Sequence, residues 1–203
     1  MNNRKFKEQD FSLNKLRAGD RAEFARLVES NSGLVYRLAL KMLENSQDAE
    51  DVLQETFVKA YNNLPNFDGR SSLSTWLYRI ATNESLMHLR RRKQKIISID
   101  ETLEKSTEYD QKPVHITDWC CLPEKELMSA EAITYMQEAV ELLPTNLKIV
   151  FLLRDIEGLS TRETAEVLDL TETAVKTRLS RARLRLRNML STYHNEKVID
   201  RMG

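Results

Sequence analysis

Between Thr171 and Arg187 the chain reads TETAVKTRLSRARLRLR. Lys176, Arg178, Arg181, Arg183, Arg185 and Arg187 face a single acid, Glu172. The chemistry open to such a stretch is the gripping of a polyanion. At about 100° per residue, Val175, Leu179, Ala182 and Leu186 share one side and predict a buried stripe. Thr177, Ser180, Arg181 and Leu184 lie opposite, with Lys176 to one side of them. Arg178, Arg183, Arg185 and Arg187 spread around the flanks. A polar, partly basic tip between basic flanks suits the reading of base edges with phosphates held on either side. By itself the pattern also fits a solvated basic helix or one strand of a coiled coil.

The residues upstream favour DNA. In LSTRETAEVLDL, Ser160 and Glu163 have the spacing of a capping box, which predicts a short helix over about 160–168. A turn near Asp169 and Leu170 follows, and Thr171 can cap the next helix. A short helix, a tight turn and a second helix make a helix-turn-helix, whose second helix enters the major groove.

A second region combines aromatic residues with cations. STWLYRIATNESLMHLRRRKQK places Trp76 and Tyr78 upstream of a basic run on one expected helix, from near Ser72 to about Lys93. Ring faces for bases beside charge for phosphates suit single-stranded nucleic acid. Just before it, NFDGRSS is a polar loop with a glycine, able to accept an unstacked base. Trp76, Leu77 and Ile80 are equally well spaced to be core. Upstream again, the stretch from Glu44 to Glu55 holds acids and no base. Ser46 can cap a helix there, with Asp48 and Glu50 in a first turn that favours negative charge. Leu53, Phe57, Ala60 and Leu64 form its core stripe, and Asp48, Asp51 and Glu55 form a separate acidic one.

The elements that must position these groups are helices. Gly (5) and Pro (4) are scarce among 203 residues, and alternating β-branched runs are nearly absent, so the expected fold is all-α. The formal net charge of zero removes any argument from overall basicity; the charge is instead segregated into surfaces of opposite sign. A first helical block is expected over 11–95, punctuated at AGD, NSG, ENSQD and LPNFDGRSS. From 96 to 122 the periodicity is lost in an acidic, largely irregular linker, longer than an ordinary connection and so favouring two domains. A second block is expected over 123–192: a long helix from Pro123, then one opened by Pro144 and closed by Gly158.

Other classes find little support. The N-terminus lacks the apolar core of a signal peptide, and Ile149–Leu153 is too short to span a bilayer. Cys120 and Cys121 give no disulfide framework. Adjacent cysteines with His115 chelate one tetrahedral zinc poorly, and no fourth ligand accompanies them. Neither metal nor cofactor is expected. Three histidines and no coherent catalytic grouping argue against an enzyme. The expectation is a soluble cytoplasmic protein, monomeric when free.

DAEDVLQETFVKAYNNLPNFDGRSSLSTWLYRIATN, followed by LRRRK, resembles region 2 of a bacterial RNA polymerase sigma factor. LPTNLKIVFLLRDIEGLSTRETAEVLDLTETAVKTRLSRARLRLRNML resembles region 4. Two regions and a linker resemble the extracytoplasmic-function (group IV) class of the sigma-70 family. That resemblance implies a factor that recruits core RNA polymerase to promoters and is held by an anti-sigma factor. Asp48, Asp51, Gln54 and Glu55 would dock on the β′ clamp helices, and region 4 on the β flap. The loop from Asn66 to Ser72 would hold a base flipped from the −10 element, with Asn63, Phe67 and Asn83 along its path. Arg90 and Arg91, in the run to Lys93, would hold phosphates just upstream. Lys176, Thr177, Ser180 and Arg181 would read −35 bases, with Thr171, Arg178 and Arg183 on phosphates. The linker would thread the polymerase channels. Asp169 replaces the family's usual turn glycine, and Thr173-Ala174 its usual Gly-Thr. Two rivals are a stand-alone helix-turn-helix regulator, which needs no acidic helix, and a sigma mimic, which needs no outward Lys176 and Arg181.

Overall fold

The computed structural model describes residues 11–99 and 130–202, with side chains placed over 11–92 and 135–191. Most of the expected linker, with His115, Cys120 and Cys121, lies outside the described residues, as does the stretch 123–129 of the helix expected from Pro123. The described residues are helical, with no strand among them. The N-terminal half holds α1 (Leu13–Arg17), α2 (Arg21–Leu43), α3 (Ser46–Asn63), a 3-10 turn (Leu64–Asn66) and α4 (Leu73–Ile99). The C-terminal half holds α5 (Ala130–Glu141), α6 (Thr145–Phe151) running into a π turn (Leu152–Ile156), α7 (Thr161–Leu168) and α8 (Glu172–Met202).

Three local expectations are corrected. The NSG triplet does not break a helix: α2 runs through it. The Asn31 amide nitrogen donates to the Leu27 carbonyl at 2.9 Å, so the polar side chain is satisfied within the helix. The buried face of Leu27, Val35, Leu38 and Met42 outweighs the ~1 kcal/mol that one glycine costs a helix interior. The cap of α3 is Asn45, whose side chain accepts from the Asp48 amide at 2.9 Å; Ser46 is already the first helical residue. At the other end of the block, α4 continues to Ile99, past the expected stop near Lys93.

In the N-terminal half, α2, α3 and α4 pack on one another around Leu38, Val52, Ala60 and Leu77, all essentially inaccessible. In the C-terminal half, α6, α7 and α8 close around Val150, Leu153 and Leu186. The halves meet where α4 packs on α7. There the Tyr78 hydroxyl donates to a Glu157 carboxylate oxygen at 2.8 Å, and Lys41 approaches the other oxygen at 3.7 Å. Nearby, Lys148 pairs with Glu44. Burial, reinforced by the Glu157 charge, raises the Tyr78 hydroxyl well above the usual 10.0, so it stays a donor. Beside the Glu44–Lys148 pair lies a cleft of about 110 Å³ lined by Met42, Leu89, Leu143 and Ile149.

Candidate nucleic-acid interface

The helix-turn-helix is assembled by short-range bonds. The Ser160 hydroxyl accepts from the Glu163 amide at 3.1 Å, and the Glu163 carboxylate accepts from the Ser160 amide at 2.6 Å, closing the expected capping box. Asp169 ends α7 in the left-handed region (φ 53, ψ 50), a conformation short polar side chains tolerate better than most. The Thr171 hydroxyl accepts from the Ala174 amide at 3.1 Å and starts α8.

On α8 the expected stripe of Val175, Leu179, Ala182 and Leu186 is buried throughout. Lys176 and Thr177 are exposed, Ser180 and Arg181 are half-buried on the same outward surface, and Arg178 is half-buried on a flank. The Thr177 hydroxyl donates back to the Thr173 carbonyl at 2.9 Å, which leaves its oxygen able to accept. Thr171 is exposed but spends its hydroxyl on the cap. Arg183 differs from its neighbours. Its Nε and Nη2 hold the Asp155 carboxylate at 2.9 and 2.7 Å, a bidentate pair that raises the guanidinium pKa. The π turn delivers Asp155 to that place, so a phosphate would have to displace a carboxylate already seated.

The loop after α3 is held at both ends. Phe67 is 6% exposed, and its ring packs on Trp76 with centroids 5.0 Å apart. Its side chain therefore belongs to the core rather than to an open base path. Ser72, also expected at the base, caps α4: its hydroxyl accepts from the Thr75 amide at 3.0 Å. Between these anchors Asp68, Gly69 and Arg70 are exposed, with Gly69 at φ 78 and an Arg70–Asp68 ion pair at 2.7 Å. Asn63 is exposed and bonded to the Lys59 carbonyl at 2.8 Å. Asn83, Arg90 and Arg91 are exposed along α4. Arg79 and Met87 share the face of Asn83 and Arg90; their spacing of four residues was the signal for them. Tyr78 lies 2% exposed in the seam and offers no ring face there.

The acidic face of α3 is present as expected: Asp51 and Gln54 are exposed, Asp48 and Glu55 half-buried. It also carries Val58 at 60% exposure and, at its edge, Tyr61. Exposed apolar groups among acids mark a protein-binding surface better than acids alone. The sequence signal was the step from Asp51 through Gln54 and Glu55 to Val58.

Comparison with known proteins gives the same two parts. Residues 27–95 match the model of sigma-70 region 2, and 133–186 match that of sigma-70 region 4. The chain is 36% identical to the ECF RNA polymerase sigma factor SigW of Bacillus subtilis, over 88% of this chain and 94% of that protein. It is 33% identical to the ECF RNA polymerase sigma-E factor of Haemophilus influenzae, over 88% and 93%. Among solved structures, it shares the fold of the sigma factor RpoE in complex with the anti-sigma factor NepR from Bartonella quintana (TM-score 0.62, 22% identity, 83% of this chain and 97% of that one). CnrH in complex with the cytosolic domain of CnrY has the same fold (TM-score 0.62, 24% identity, 89% and 95%).

Proposed function

The chain belongs to the extracytoplasmic-function sigma factors of RNA polymerase, and from that premise we propose how its surfaces divide the work of promoter-specific initiation. The two halves correspond to region 2 (11–95) and region 4 (123–192), joined by the linker at 96–122. The outward tip of α8 reads −35 bases through Lys176, Thr177, Ser180 and Arg181, with Arg178 and Thr171 facing phosphates. The loop at 66–72, with Asn63, Asn83, Arg90 and Arg91, takes the −10 strand. Asp48, Asp51, Gln54, Glu55 and Val58 dock on the β′ clamp helices, and region 4 on the β flap.

No covalent step is assigned to the protein. Melting is differential binding: an unstacked base reaches a loop that a paired base cannot, which offsets an unstacking cost of a few kcal/mol. The acids of α3 set register and encounter rate against a basic partner. An anti-sigma factor is a further expected partner, as RpoE has one, NepR, in its complex. No helix among the described residues is long and apolar enough to cross a membrane, and work on RNA polymerase puts the chain in the cytoplasm.

The observation that carries this reading is the division of α8: a stripe buried to the last residue, and opposite it a tip of cations and hydroxyls. Run-off transcription with purified core polymerase on a promoter library tests it. Initiation at a defined subset of promoters is expected; silence on every template would sink the reading. A free chain that shifts duplex DNA tightly without polymerase would point to a stand-alone regulator instead.

A further inference from the structure

α1 lies upstream of the residues that match the region 2 model, yet it reaches the loop at 66–72. The Arg17 guanidinium donates twice to the carbonyl oxygen of Phe67, from Nε at 2.9 Å and from Nη2 at 2.6 Å. We propose that Arg17 is a positioning residue for promoter opening: it fixes the Phe67 carbonyl and so sets where the loop holds the captured −10 base. The inference rests on the assignment of that loop to the −10 strand made above.

A loop that accepts a flipped nucleotide gains nothing from being adaptable, because ordering it on binding adds to the unstacking cost. This loop has little beneath its tip, since Asp68, Gly69 and Arg70 are all exposed. Its shape depends on its ends. The downstream end is fixed by the Ser72 cap. At the upstream end the Phe67 ring sits on Trp76, but a ring contact leaves the peptide plane free to rotate. Two charge-assisted bonds from one planar fork on one oxygen remove that freedom. A carbonyl near the surface can find water without Arg17; what the guanidinium adds is position.

Arg17 is itself held. A helix of five residues cannot stand alone, so α1 depends on its surroundings. Leu16 is buried at 2% exposure. The Ser12 amide donates to Glu23 Oε1 at 2.8 Å, and Arg26 donates to Oε2 at 2.8 Å. The Ser12 bond is the main cause of the lowered Glu23 pKa. Gly19, at φ 77, turns the chain, and Asp20 caps α2 through the amides of Ala22 and Glu23 at 2.9 and 3.0 Å. A Leu13 methyl lies beside Gly69, 3.8 Å from where a Cβ would stand. The path from the start of α2 to the loop is continuous.

The test is run-off transcription by core polymerase with this chain, on DNA randomised over the −10 and −35 elements, with base enrichment read from the transcripts. Enrichment at one position relative to another does not depend on the folded fraction. Arg17→Ala should flatten enrichment at the captured −10 position by roughly five- to tenfold, within the range one base pair contributes, and leave −35 enrichment intact. Arg17→Lys, with one donor in place of a fork, should fall between. An unchanged −10 profile would overturn the proposal. So would equal flattening at both elements, or a changed salt dependence alone, which would make Arg17 a phosphate contact. Arg70→Ala and Asn83→Ala separate the two layers. If neither alters the −10 profile, the loop assignment fails and takes the inference with it. If they alter it and Arg17→Ala does not, only the inference fails.

Discussion

The α8 surface and the loop at 66–72 are built on opposite plans. The first is one helix, with its proposed contact residues three and four apart and its buried stripe on the reverse side. The second is put together from α1, the 3-10 turn and α4, with its key bond spanning fifty residues. A duplex presents a regular groove, so a rigid cylinder with a polar tip can read it. A single displaced base needs a concave site, and a concave site needs walls from several elements. That difference sets where each surface is vulnerable: α8 through its core stripe, the loop through its anchors.

The largest effects should come from removing those supports. Leu186→Ala, at a fully buried position, should cost about 2–5 kcal/mol in urea denaturation, and Phe67→Ala about 3–5. A cost below ~1 kcal/mol for Phe67 would mean that the loop is not anchored through its ring. Next come the contacts themselves. Arg181→Ala should lower −35 discrimination by about 1–3 kcal/mol if Arg181 reads a base. Arg178→Ala should weaken all sequences alike and reduce the salt slope by about one. Competition binding over a salt series separates them, and matching profiles would erase the division between tip and flank.

A smaller effect is expected at the seam. Tyr78→Phe removes one hydrogen bond to Glu157, which keeps Lys41, and should cost about 0.5–1.5 kcal/mol; no change in denaturation midpoint would show the bond to be idle. The smallest is confined to the support of the loop. Glu23 and Asp20 are lowered from their ordinary 4.5 and 3.8, each chiefly by a backbone amide donor. Depressed carboxylates contribute their stability fully above those ordinary values and lose it as pH falls through the lower folded ones. An acid titration followed by NMR should therefore show the Ser12 amide shifting below pH 4.5. A midpoint at or above that value would break the account of α1.

What the sequence made legible follows the same division. Caps and stripes are local, so Ser160 with Glu163, Thr171 and the four buried residues of α8 could be read from spacing alone. Asn31 and Gly33 misled because turn-forming residues were weighed without the apolar face that carries α2 past them. Asn45 and Ser46 are both good caps, and spacing does not choose between neighbours. The roles of Phe67, Tyr78 and Arg183 depend on Trp76, Glu157 and Asp155. The last two of these partners are 79 and 28 residues away, and no periodicity within one helix encodes them.

The cluster of Tyr78, Lys41 and Glu157 bears on the whole cycle. The −10 and −35 elements stand, by their names, about 25 base pairs apart, roughly 85 Å of duplex. Two surfaces that read both elements at once must reach that far, and the Tyr78–Glu157 bond ties α4 to the stretch just before α7. The joint is suited to parting, because its polar groups exchange a protein partner for water at a net cost of about 1 kcal/mol each, and the adjoining cleft is incompletely filled. A ligand that binds only when this joint is made, or only when it is parted, moves the balance between the two by its difference in affinity. A partner that binds across the joint favours its closed state, and one that needs α4 and α7 apart favours its opening.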